Sequence, residues 1–380
     1  MNPTAKTNLT AFSHDARLYL TLGIANWSIF LDHIPNNVAN LLTLRNFGFS
    51  GAADLFVFVV GYGVTIIHGK IALERGFVVA ATRIFRRVWR LYAAYIVLFV
   101  IYIDAIAYVA SQSTAPEIIN QYNISGILEY PLRILVRGLL LQEEPLNLDL
   151  LQLMIPLMAF FPLALWGLLR RPHLTLLASV ALYLAARFFG WSFRISPDGE
   201  WAFNPFCWQM LMVLGGWFAV TGAPSRALYG ISWLRALAGA YLVFAMAVTL
   251  ARHSPALSAY LPDAVLSIFT PSDKENLAPH RVVHFLALAF LATHLVPADH
   301  PALQWKSLQA VIRSGEEWLA VFCVGVFLSF AAHLILITGP NLVLMQITVS
   351  LLGLAAMAAV AYYISWSKRQ DMPAALRQRA

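Results

Sequence analysis

The sequence predicts an all-α polytopic integral membrane protein, a bundle of about ten transmembrane helices in a single domain spanning residues 1–380. Three observations predict it. Hydrophobic residues make up 59% of the chain and charged ones 12%, against about 25% charged in soluble domains. Mean hydropathy is +0.67. The apolar residues also fall in repeated runs, each long enough to cross a hydrocarbon core of about 30 Å and separated by short polar stretches.

Taken in order, the spans are expected at roughly 18–34, 51–68, 88–110, 148–169, 174–190, 203–221, 234–250, 281–297, 318–337 and 342–365. The first carries Asp32 and His33, the fourth Pro156 and Pro162, and the sixth opens with Asn204-Pro205. Such features are tolerated where neighbouring helices or enclosed water satisfy the freed polar groups, which predicts a bundle around a polar cavity. Between spans, the basic stretch Lys70 to Arg90 is expected along the anionic inner leaflet. The loop at about 111–147 carries Glu117, Glu129, Glu143 and Glu144. Within it, the apolar segment Ile127 to Leu141, with Arg133 and Arg137 at i, i+4, predicts a helix lying at the outer interface. A second outer loop, about 251–280, is rich in Pro, Asp and Ser.

The formal net charge of +7 is a topology signal. With the N-terminus in the cytoplasm, 18 of the 26 Lys and Arg residues fall inside, among them Lys6, Arg17, Arg83, Arg86, Arg87, Arg226, Arg377 and Arg379. Seven fall outside and Arg187 lies within a span, as the positive-inside rule requires. A nucleic-acid footprint is therefore not expected. Cys207 and Cys323 both sit in apolar spans, so no disulfide framework is implied. Residues Met1 to Ala16 lack the pattern of a removable signal peptide, and the first span is expected to serve as the insertion signal.

The expected topology brings polar residues of several spans to one depth near the outer surface. His33 ends the first span, Asp54 opens the second, Asn204, Trp208 and Gln209 open the sixth, and Arg281 and His284 open the eighth. Ionisable groups held inside a membrane bundle are functional candidates by default. A neutral imidazole at His33 can take a proton from a hydroxyl and return it to a leaving group, with a helix-end cap before Pro35 as the plain alternative. Asp32 points about 100° away on a helix and is a poor orienter for His33. Asp54 is the better candidate for that role, or it caps the second span. His280 and His284 share a helical face, but no third metal ligand accompanies them. Arg45 and Arg281 can grip a carboxylate by a bidentate fork or contact headgroups. No nucleophile elbow, P-loop or dinucleotide fingerprint is present.

Several blocks resemble one family. Leu31-Asp32-His33-Ile34-Pro35-Asn36-Asn37, Thr43-Leu44-Arg45-Asn46-Phe47-Gly48-Phe49-Ser50 and Phe56-Val57-Phe58-Val59-Val60-Gly61-Tyr62 are similar to the OpgC family. So are Phe203-Asn204-Pro205-Phe206-Cys207-Trp208-Gln209, the run from Arg281 to Ala289 and the run from Val321 to Phe330. The resemblance is collinear from about residue 15 to 365. It implies a multi-pass acyltransferase of the bacterial inner membrane that places succinyl groups on osmoregulated periplasmic glucans, with both termini cytoplasmic. The implied donor is a cytosolic acyl-CoA, in the first place succinyl-CoA, used as co-substrate without a bound cofactor or metal. The implied partners are the glucan acceptor and membrane lipids. His33 matches the histidine of the wider acyltransferase group. The basic residue expected eleven positions earlier is Leu22 here, and Tyr19 stands where an aspartate is expected. Asp54 stands where relatives more often have glutamate, and Glu316-Glu317-Trp318 replaces a more neutral stretch.

These readings combine into an expected mechanism of transmembrane acyl transfer. His33, Asp54 and His284 form the catalytic set. Arg45, Asn46, Asn204, Gln209 and Arg281 bind substrate, with Arg45 for the succinyl carboxylate and Arg281, Asn204 or Gln209 for the oxyanion. Arg17, Arg86 and Arg87 bind the donor phosphates. A transporter or flippase for a glycan or lipid-linked intermediate is the alternative from another class. An acyltransferase homologue altered in catalysis by the change at Leu22 is a third.

Overall fold

A computed structural model describes residues 8–9, 15–112, 127, 129–195, 199–222, 230–269, 273–339 and 342–371. Lys6, Glu117, Arg226, Arg377 and Arg379, and most of the loop expected at 111–147 up to residue 128, lie outside these residues. The described chain holds fourteen helices and one two-stranded ribbon, and 81% of it is helical. In chain order the helices are α1 Ala16–Asp32, α2 Ala52–Arg75, α3 Phe77–Gln112, α4 Pro131–Leu139, α5 Asp149–Arg170, α6 Pro172–Phe189 and α7 Pro205–Thr221. Then come α8 Ser232–His253, α9 Pro255–Ser258, α10 Asp263–Phe269, α11 Pro279–Leu295, α12 Lys306–Glu316, α13 Trp318–Thr338 and α14 Val343–Gln370. The ribbon pairs β1 Arg194–Ile195 with β2 Gly199–Glu200.

All ten expected spans are helices. Seven of them, α2, α3, α5, α6, α8, α13 and α14, are long and apolar enough to cross a membrane. The other three, α1, α7 and α11, have 17 residues each. Helix α5 runs unbroken through Pro156 and Pro162. Three boundaries differ from expectation for identifiable reasons. Gly76, with φ +91°, separates α2 from α3, and nothing after it breaks the helix. Of the basic stretch Lys70 to Arg90, Lys70 and Arg75 thus belong to α2 and Arg83 to Arg90 to the first half of the 36-residue α3. The interfacial segment becomes helical only from Pro131, which occupies the first turn where a missing N–H costs nothing. The stretch 298–317, read as a polar loop, holds a 3₁₀ turn at Pro301–Gln304 and the helix α12, whose Val311, Ile312, Ser314 and Gly315 are buried.

The chain folds as two compact units. Unit one comprises residues 1–13, 57–228 and 271–282, and unit two 14–56, 229–270 and 283–380. In unit one α7 lies along α6 and α5, and α5 packs on α3. The Val57–Arg75 part of α2 approaches α7 backbone to backbone. A Cβ on Gly61 would meet the Met212 carbonyl, and one on Gly215 the Phe58 carbonyl.

Unit two is organised around α1 and α12, which use the same device. A Cβ on Gly23 would strike the Val311 carbonyl, and one on Gly315 the Tyr19 carbonyl. The end of α1 then joins a core of Phe30, Leu31, Ile34, Val321, Ala332, Leu336, Met357 and Ala361. Gly353 of α14 gives the Phe30 ring its space. Polar groups along α1 are satisfied from the same side. Trp27 donates from Nε1 to Ser314 Oγ at 3.1 Å, and Asn26 donates to the Trp318 carbonyl at 3.0 Å. Gly315→Ala is expected to destabilise the protein by about 1–3 kcal/mol, because neither backbone can yield without breaking helix bonds. Gly239→Ala, on an open stretch of α8 with nothing within 4 Å, is expected to be neutral or stabilising. Thermal unfolding midpoints of the two variants check both.

Candidate functional site

The polar loop between α1 and α2 carries most of the candidate residues of unit two. Helix α1 stops at Asp32, and His33 is its C-cap, with φ −92° and ψ 6° and its N–H on the carbonyls of Ile29 and Phe30. The chain leaves the helix through Pro35 and Asn36, and Asn36 adopts φ +55°, a conformation asparagine tolerates. The His33 side chain is half-buried.

Asp32 organises the loop. Its Oδ1 accepts from Thr43 Oγ1 at 2.6 Å and pairs with Arg45 Nε at 3.1 Å. Arg45 Nε also reaches Asn40 Oδ1 at 3.2 Å. Asn46 is buried and donates to the Asn40 carbonyl at 2.7 Å and to Thr43 Oγ1 at 3.1 Å. Half of the Arg45 side chain is exposed, and among the described residues its terminal nitrogens take no hydrogen-bond partner. The loop is also tied to α14. Asn37 donates to Ser350 Oγ at 2.7 Å, and the Val38 N–H donates to Gln346 Oε1 at 2.9 Å.

The far end of the loop wraps the His284 ring. Both the Ser50 N–H and Ser50 Oγ lie on His284 Nδ1, at 3.2 Å and 2.7 Å. A backbone N–H can only donate, which puts the lone pair on Nδ1 and the ring proton on Nε2. His284 is 4% exposed, and a Cβ on Gly48 would overlap its ring. The Phe49 and Tyr241 rings lie 5.8 Å and 6.4 Å from it. Asp54, fully buried, accepts the Gly51 N–H on Oδ2 at 2.8 Å. This is the return bond of a capping box at the start of α2.

In unit one, Asn204 and Gln209 have clear local duties. Asn204 caps α7 through the Phe206 N–H at 3.0 Å, and its own amide donates to the Trp191 carbonyl at 2.6 Å and Asn276 Oδ1 at 2.9 Å. Gln209 donates to the carbonyls of Ser179 and Phe206 at 2.9 Å and 3.2 Å, and accepts from Ser179 Oγ at 2.7 Å. Both side-chain amides have thus spent their N–H donors. Arg281, on the same helix α11 as His284, is 6% exposed. Of the donor candidates, Arg17 in unit two is held by Asp15 at 2.7 Å and by the Val296 carbonyl at 3.1 Å. Arg86 and Arg87, in unit one, lie on α3, the first exposed and the second half-buried.

Sequence reasoning brought His33, Arg45, Asn46, Asp54 and His284 into one unit. It missed two residues. Ser50 lies in a segment singled out for its resemblance, but its partner His284 is far along the chain. Glu144 reads as one acid among several, yet it is 5% exposed and burial pushes its carboxyl up to about 8, with Asp149 adding to the rise. Among the described residues no group of three or more His, Cys, Asp or Glu side chains is placed to hold a metal ion.

Gly48→Ala is expected to push the His284 ring off the Ser50 pair and to lower stability by about 1–3 kcal/mol. Gly51→Ala, whose new methyl would lie 3.6 Å from Arg45 Cβ, is expected to fold normally. Thermal midpoints and detergent-solubilised yield distinguish the two.

No curated protein and no solved structure matches the chain at a significant level. The family described as OpgC protein matches residues 14–369. The chain, a multi-pass membrane protein whose apolar helices and polar α1–α2 loop fall within that match, belongs to the OpgC family.

Proposed function

We propose that this protein is a membrane acyltransferase that moves an acyl group, in the first place succinyl from a CoA thioester, onto hydroxyls of osmoregulated periplasmic glucans. Family membership supports acyl transfer in glucan modification. The observation that carries the reading is local. His33 ends the first apolar helix half-buried, and the neighbouring Asp32 holds an arginine, Arg45, that keeps terminal nitrogens to spare.

In the proposed reaction His33 takes the proton of a glucose hydroxyl as that oxygen attacks the thioester carbonyl. The tetrahedral intermediate collapses, the carbon–sulfur bond breaks, and His33 returns the proton to the departing CoA thiolate. Asp32 is engaged by Thr43 and Arg45, so its part is to fix the loop rather than to orient His33. Arg45 binds the free carboxylate of the succinyl group. The side-chain N–H groups of Asn204 and Gln209 are spent, so neither amide serves as an oxyanion donor. His284, as the Nε2–H tautomer, is a hydrogen-bond donor and needs no proton transfer of its own. Arg17 supplies positive charge for the donor phosphates on the cytoplasmic side, and the acceptor lies on the other side of the inner membrane.

The test is glucan analysis by charge and mass in a strain deleted for this gene. Wild type restores the acyl substituent, and His33→Ala, expressed at the same level, lowers it at least about a hundredfold. Full substitution by His33→Ala overturns the mechanism, and unchanged glucans in the deletion strain overturn the assigned acceptor. Arg45→Leu is expected to lose succinyl transfer while keeping transfer of an uncharged acyl group such as acetyl. Equal loss of both would remove Arg45 from carboxylate binding.

A further inference from the structure

Three segments of unit one meet around a single carboxyl group. The stretch 140–148 precedes α5, the stretch 200–204 links β2 to α7, and the stretch 273–278 precedes α11. Glu144 Oε2 accepts the Ala202 N–H at 2.8 Å. Close by, Asn204 N–H donates to the Glu275 carbonyl at 2.9 Å, and Trp208 Nε1 reaches the carbonyls of Lys274 and Glu275, both at 3.1 Å. Lys274 Nζ stands 4.0 Å from the centre of the Phe203 ring and 3.5 Å from Asp149 Oδ2. Among the described residues, only the Glu144 bond ties 140–148 to 200–204 through a titratable group.

The other oxygen of that carboxyl, Oε1, is buried and makes no hydrogen bond among the described residues. A buried carboxylate with an empty oxygen is costly, whereas a neutral carboxylic acid in the same place loses far less. The charges around it favour neutrality. Burial and the negative charges of Asp149 at the start of α5 and Glu275 on the 273–278 stretch oppose a carboxylate, and the Ala202 N–H bond and Lys274, which favour one, only partly offset them. On its own stretch Glu143 is also raised, first by burial, and Arg137 of α4 pulls it back. Tyr95 of α3 faces both glutamates and donates to the Glu143 carbonyl at 3.2 Å.

We infer that Glu144 is a proton-operated latch, closing 140–148 onto 200–204 when neutral and releasing that contact when ionised. The latch is independent of the acyl-transfer chemistry. Closed, the carboxyl titrates at about 8, against an ordinary value of 4.5. Released into water it returns to the ordinary value. The closed form therefore has its full advantage below the ordinary value. That advantage falls about tenfold per pH unit up to about 8 and is constant above it.

The test is amide hydrogen exchange on the full-length protein in lipid nanodiscs between about pH 5.5 and 8.5, with intrinsic exchange rates divided out. Wild type is expected to lose protection at the Ala202 amide about tenfold per pH unit until about pH 8. Glu144→Gln keeps the acceptor and cannot ionise, so its protection is expected to be independent of pH. A pH-independent wild type, or the wild-type slope in Glu144→Gln, overturns the latch. Two further variants decide the matter should the glutamine variant fail to fold. Lys274→Met moves the end of the slope to higher pH, and Asp149→Asn moves it to lower pH. Shifts in one direction, or none, overturn it as well.

Discussion

The rest of unit two depends on how closely α1 and α12 approach. At Gly23 and Gly315 the side chains are absent, so each helix meets the carbonyl oxygens of the other. Small residues at a helix crossing bring backbones together and let dispersion act over the whole contact, which matters in lipid because the hydrophobic effect does not drive helices together there. The contact fixes the axis of α1 and therefore the place where α1 ends. His33 and Asp32 inherit their position from it. Asn26 and Trp27 complete the arrangement by giving their polar atoms to α13 and α12 rather than to lipid.

From that fixed end, the loop to α2 satisfies itself. Asp32, Asn40, Thr43, Arg45 and Asn46 answer one another's hydrogen bonds, and Asn37 and Val38 borrow from α14. Irregular backbone close to a membrane survives only when its polar groups are matched within the protein. The network also separates roles that the sequence leaves merged. Asp32 is bonded to Thr43 and Arg45, Asp54 closes a helix start, and the spare capacity is left on Arg45.

Much of this was legible in advance. Apolar run length located a helix at each of the ten expected spans, because length in lipid is a hard constraint. The polar character of His33 to Asp54 stood out for the same reason. What escaped was whatever depends on a partner far along the chain. Helix α12 reads as a loop because Lys306, Arg313 and Glu316 make it polar, while its burial is decided by Gly23 on another helix. The pairing of Ser50 with His284 joins positions 234 residues apart. Glu144 needed the backbone of Ala202 to distinguish it from its neighbour Glu143. The reach of α3 was missed because basic residues were read as a boundary, when only Gly76 breaks the helix.

The length of α3 has a consequence for the protein as a mechanical object. Its 36 residues extend about 54 Å, while the hydrocarbon core is about 30 Å thick and helices rarely tilt beyond about 40°. One rod must therefore be solvated in two media at once. The arginines at 83, 86, 87 and 90 lie in its first half, and Tyr95, Phe99 and Tyr102 are buried just past its middle. A change in bilayer thickness or in the charge of the leaflet near the arginines acts on the same rigid body that bears on α5. The lipid composition of the membrane thus becomes a load on unit one, transmitted without any ligand.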